Sequence, residues 1–122
     1  MLYALLCYND EASVCGLSRD EDEAMMVRVR AAEDKITAKA RFGPRLRLMP
    51  TTAATFVKAG QDPVVLDGPF AETKEQLLGF WVVDCASLED AIDAARHLAR
   101  EREFGGIEVR PISAYLPPPE VM

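Results

Sequence analysis

Leu2-Tyr-Ala-Leu-Leu-Cys-Tyr8 and Leu77-Leu-Gly-Phe-Trp-Val-Val83 are the two runs on which the architecture turns. Each is apolar at successive rather than alternate positions and too short for a buried helix, so both read as strands covered on two faces. Between them, Ser18 followed by Glu21 forms a capping-box pattern. Met25, Val29, Ala32, Ile36 and Ala40 then recur at three- or four-residue steps along an otherwise charged segment. This spacing predicts an amphipathic helix, with Asp20, Glu21, Asp22 and Glu23 crowding its first turn and Gly43-Pro44 stopping it. The stretch joining the first strand to this helix reads as a polar loop.

Outward from these elements, Arg45-Leu-Arg-Leu-Met49 alternates with period two, and Ala54-Thr-Phe-Val-Lys58 and Pro63-Val-Val-Leu66 flank a turn at Ala59-Gly-Gln-Asp62. A short hairpin follows from that pattern. Ser87 caps a second helix, with Leu88, Ala91, Ile92, Ala95 and Leu98 on its buried side and Gly105-Gly106 at its end. Residues 107–112 alternate as a last strand. Residues 1–115 thus read as a single domain, and 116–122 as a proline-rich, extended C-terminal tail. The order β-α-β-(hairpin)-β-α-β predicts an α+β, ferredoxin-like fold with a mainly antiparallel sheet and both helices on one face. Two helices cover only one side of strands that are apolar on both. Either a second copy packs sheet against sheet, making a homodimer, or the tail or hairpin folds over the open face.

The 122 residues carry 20 acidic and 14 basic side chains, a formal charge of −6. That sign disfavours nucleic acid and anionic membranes as partners. No apolar run approaches the roughly 18 residues that span a bilayer, and the N-terminus lacks a cationic leader. Cys7, Cys15 and Cys85 are odd in number with no CxxC spacing, which predicts free thiols and a cytoplasmic location. There is one histidine and no acidic or cysteine cluster at ligand spacing, so no metal site is expected. No nucleotide-binding glycine loop or nucleophile elbow occurs, and no cofactor is expected.

Asp67-Gly-Pro-Phe-Ala-Glu-Thr-Lys-Glu75 carries the most information about function. Asp-Gly favours a turn and Pro69 stiffens it, which holds a carboxylate and an aromatic ring at a strand end. The run from Val65 to Gln76, with Gly79-Phe80 and Ile107-Glu-Val-Arg-Pro111, resembles the DGPF branch of the YCII-related family. Tyr8-Asn-Asp-Glu11 and Phe42-Gly-Pro44 agree with it. The resemblance implies a dimeric α/β barrel built from ferredoxin-like chains. Most members have no known biochemical function, and some are encoded with or fused to extracytoplasmic-function sigma factors. A related branch includes a dehydrochlorinase of a chlorinated hydroxyhydroquinone with a proposed His–Asp pair, its histidine on the first helix. Residues 18–41 of this chain contain no histidine.

The candidate site residues follow from these readings. Asp67 is the candidate base. His97, with Asp93 and Arg100 one helical turn away on either side, is a second candidate proton acceptor. Glu108 and Arg110 share one face of the last strand and are candidates for orienting a polar or phenolic substrate. Phe70, Glu72 and Lys74 join the pocket rim through the resemblance. Two functions remain open: acid–base, lyase- or isomerase-like chemistry on a small organic molecule, or a module that binds a small ligand or a protein, with a link to sigma-factor regulation implied by the family.

Overall fold

A computed structural model describes residues 1–119; the final three residues of the tail lie outside the described residues. Six strands and three helices run in the order β1 (Leu2–Asp10), α1 (Glu11–Cys15), α2 (Arg19–Ile36), β2 (Ala40–Arg47), β3 (Thr55–Lys58), β4 (Val64–Asp67), β5 (Glu75–Cys85), α3 (Leu88–Ala99) and β6 (Gly106–Pro111). β2, β5, β1 and β6 form an antiparallel sheet in that order, while β3 and β4 form a separate hairpin. The fold is α+β with the ferredoxin-like strand order. The two runs that are apolar at successive positions, β1 and β5, are the two central strands, each hydrogen-bonded on both edges.

Odd-numbered residues of β1 and β5, among them Leu5, Cys7, Trp81 and Val83, meet Met25, Val29, Ala32 and Ile36 of α2 and Ala91, Ala94, Ala95 and Leu98 of α3 in one buried cluster. This core is the burial that holds the domain together. Ser18 closes a capping box with Glu21, and Ser87 accepts from the Asp90 amide, so both long helices begin where their sequence signatures place them. The remaining side of the sheet is different. Leu2, Ala4, Leu6, Tyr8 and Phe80 are only half-buried there, with no helix above them. Among the described residues neither candidate cover takes that role: Val57, Val65 and Leu66 of the hairpin are exposed, and Leu116 of the tail is 91% exposed.

Four expectations are corrected. α2 ends at Ile36 rather than running to residue 41, because Thr37 caps it and Ala40 already pairs with Cys85. Gly43-Pro44 is therefore not a helix stop. It is a one-residue bulge in β2, facing Val82 between the Phe42–Val83 and Arg45–Trp81 pairs; proline, lacking an N–H, is tolerated in strands at such irregularities. The loop after β1 contains a helical turn, because Asp10 accepts from the Ala12 and Ser13 amides. On α3, Ala94 is buried and Leu88, the first residue of the helix, is exposed.

Gly105 turns the chain into β6 with φ +75°, and a Cβ there would run into the Tyr8 carbonyl oxygen. Gly105→Ala is expected to lose about 1–3 kcal/mol in urea unfolding. Gly106→Ala, where a Cβ meets nothing within 4 Å, should stay within about 0.5 kcal/mol of the parent. Equal losses would contradict this reading of the turn.

Candidate functional site

The bulge in β2 has a consequence for which side chains face α2. Phe42 packs on the helix-side core. Strict alternation would then place residues 44 and 46 on the same face. The extra residue shifts the phase, so that Arg45 and Arg47, opposite Trp81 and Gly79, face the helices instead. Arg45 lies with its guanidinium carbon 5.0 Å from the Phe42 ring centre.

Arg45 meets Glu33, the most buried acid among the described residues at 7% exposure. Its Nη1 donates to Glu33 Oε1 at 2.9 Å, and Trp81 Nε1 donates to Glu33 Oε2 at 2.9 Å. Both carboxylate oxygens therefore have fixed donors, from two different strands, which satisfies a buried charge. About three helical turns toward the N-terminus of α2, Asp22 receives two hydrogen bonds from Arg47, at 2.7 and 3.0 Å. Two acid–arginine pairs thus tie α2 to β2.

Between them opens a cleft of about 290 Å³. Met26, Val29, Arg30 and Glu33 line it from α2, Arg45, Leu46 and Arg47 from β2, and Leu78, Gly79 and Trp81 from β5. Cys7 of β1 and Arg102, just past α3, complete the lining. Burial pushes the Cys7 thiol above its ordinary value, although the charge of Arg102 pulls part of the way back; a thiol so placed is a poor nucleophile. A second cleft, of about 450 Å³, shares Arg47 and Leu78 with the first and runs on between α1, α2 and the residues after β2. Its Glu11 carboxylate is taken up by the Thr51 amide and hydroxyl. The combination of apolar walls, a buried carboxylate and several guanidiniums is the general pattern of a small-molecule site.

The residues singled out in the sequence are dispersed. Asp67 closes β4 on the hairpin, exposed, opposite Thr55 and without a side-chain hydrogen bond among the described residues. Phe70 is 82% exposed and its ring lies against Phe56 in a tilted pair, 5.4 Å between ring centres. Glu72 is exposed, and Lys74 reaches Asp10 at 3.8 Å. Glu108 and Arg110 stand opposite Leu6 and Ala4 on the sheet face without helices, where Glu108 accepts from Tyr8 Oη at 3.5 Å. His97 lines a shallow recess between α2 and α3; Arg100 Nη1 lies 3.4 Å from its Nδ1, while Asp93 pairs with Arg96. Sequence reasoning missed Glu33. The available signal was Trp81, the single tryptophan, whose N–H needs an acceptor when its strand is central.

Arg47 holds the Asp22 carboxyl below its ordinary value by hydrogen bonding, against a smaller opposing effect of burial. With the folded value below the unfolded one, the pair's contribution is complete above about pH 4–5 and is lost as pH falls through the lowered value. Both side chains are partly exposed, so the contribution is about 1 kcal/mol or less. Urea unfolding of the parent and Asp22→Asn is expected to differ near neutrality and to converge at acid pH. A constant offset would contradict the pair.

Residues 1–115 match the YCII-related domain. An uncharacterized protein of Rhizobium meliloti (strain 1021) is 49% identical over 119 residues, covering 96% of each chain. With a family match across nearly the whole chain and a full-length relative at that identity, the protein belongs to the YCII-related family.

Proposed function

We propose that this YCII-related chain acts on a small organic molecule held in the cleft between α2 and the sheet, with Glu33 as proton acceptor. The observation that carries this reading is the placement of Glu33: a buried carboxylate, held in position by Trp81 and Arg45, on the wall of a cleft that combines apolar side chains with guanidiniums. A carboxylate positioned in this way can take a proton from a substrate O–H or activated C–H, leaving the electron pair on the substrate to form a double bond. Return of the proton to another atom completes an isomerisation; departure of a group from the neighbouring carbon completes an elimination. Arg45 stays bound to Glu33 during the transfer and holds its orientation.

A second reading has its own observation. Both Glu33 oxygens already have protein donors, an arrangement that also suits a structural carboxylate in a module that binds without turnover. The experiment that decides is turnover of a panel of phenolic and lactone compounds by the parent and by Glu33→Gln, which keeps an acceptor for Trp81. The catalytic reading expects a loss of about 100-fold or more with binding retained. Undiminished turnover by Glu33→Gln removes Glu33 from the chemistry. Binding without turnover by the parent establishes the binding module.

The same reading includes a homodimer formed through the sheet face that lacks helices. Support comes from half-buried Leu6 and Phe80 on that face and from the exposed apolar hairpin and residues 116–119 of the tail, neither of which covers it among the described residues. In such a dimer Glu108, Arg110 and Tyr8 border the apolar patch, and the exposed Asp67 and Phe70 are candidates for contact between protomers. Sedimentation at micromolar concentration is expected to show a dimer that Phe80→Glu dissociates. A monodisperse monomer for the parent would end the dimer proposal.

A further inference from the structure

We infer that the cleft between α2 and the sheet selects a small organic anion, a carboxylate on a flat apolar body, and that Arg102 and Arg30 receive its charged group. This rests on the reading of that cleft as the ligand site. Four arginines line it against one acid, in a chain whose formal charge is −6. Two of them are neutralised, Arg45 by Glu33 and Arg47 by Asp22. Arg30 and Arg102 have no ion-pair partner among the described residues; the charge of Arg102 acts only at longer range, on Asp22.

Arg102 makes the stronger case. Its Nε is the one buried side-chain nitrogen or oxygen without a hydrogen-bond partner among the described residues. Its Nη1 has only the Met25 sulfur, at 3.6 Å. A buried guanidinium N–H left unmade costs free energy that an incoming acceptor recovers. A carboxylate is the acceptor that matches the planar fork of a guanidinium in two parallel bonds. The body of the ligand is set by the remaining wall, Met26, Val29, Leu78 and the Trp81 ring, which suits a ring better than a bare phosphate. A cleft of about 290 Å³ is at the small end of ligand pockets, and so limits the occupant to roughly a single substituted ring.

Trp81, the single tryptophan, makes the test direct. The full-length protein is titrated with 4-hydroxybenzoate, with its uncharged counterpart 4-hydroxybenzamide, and with inorganic phosphate, by calorimetry and by Trp81 fluorescence. The carboxylate is expected to bind at least about tenfold more tightly than the amide, and phosphate to bind weakly without moving the fluorescence. In Arg102→Gln the ratio of carboxylate to amide affinity should fall toward one, and Arg102→Lys should restore part of it. Arg30→Gln, at an exposed position, should lower the same ratio and serves as the second variant if Arg102→Gln fails to fold. Equal affinity of the parent for carboxylate and amide overturns the anion inference while leaving the cleft a small-molecule site. Tight phosphate binding overturns the assignment of the ligand body. No binding of any probe up to about 10 mM overturns the inference and the cleft reading together.

Discussion

A carboxylate placed under a helix and out of water must be given donors, and the way Glu33 obtains them organises much of this molecule. Its two partners come from strands 12 and 48 residues away, Arg45 on β2 and Trp81 on β5. Satisfying both at once fixes the height and rotation of α2 over the sheet. Arg45 is available only because the Gly43-Pro44 bulge changes the phase of β2 after Phe42. With regular alternation Leu46 would face the helix and the arginines would face away. A single extra residue therefore turns what would be an apolar helix–sheet seam into a cleft with charged walls.

The two faces of the sheet have been put to different uses. On the helix side the core is closed by Leu5, Val29, Val83 and Leu98, all essentially inaccessible, and the cleft lies between α2 and the β2–β5 side of the sheet. On the other side Leu2, Ala4, Leu6, Tyr8 and Phe80 remain half-covered, and the polar groups of β6 stand beside them. Chemistry and assembly are thus assigned to opposite faces in the reading proposed for this protein. Changes that dissociate a dimer need not touch Glu33, and changes at Glu33 need not affect association.

Much of the fold was legible because its signals are local. The uninterrupted apolar runs at 2–8 and 77–83 identify central strands, and Ser18 and Ser87 identify helix starts, since a cap is an interaction within four residues. The end of α2 was not legible. Gly43-Pro44 has the composition of a helix stop and of a bulge alike, and only pairing with β5 decides between them. The site was hidden for a related reason. Glu33 follows Ala32 on a helix rich in charge, and nothing within a few residues distinguishes it from solvated Asp34. Its partners become neighbours only after the sheet has formed. Asp67, by contrast, stands in a conspicuous turn, but the hairpin bearing it packs chiefly on itself and places the carboxylate in solvent.

The claim that the Glu33 carboxylate binds the Trp81 indole within the folded chain is tested most directly by nuclear magnetic resonance of the one indole N–H. In the parent protein that resonance should lie downfield of a solvated indole and exchange slowly with deuterium, and Glu33→Ala should move it upfield and speed its exchange. An indole proton that exchanges as freely as one on the surface, and is indifferent to residue 33, would contradict the account.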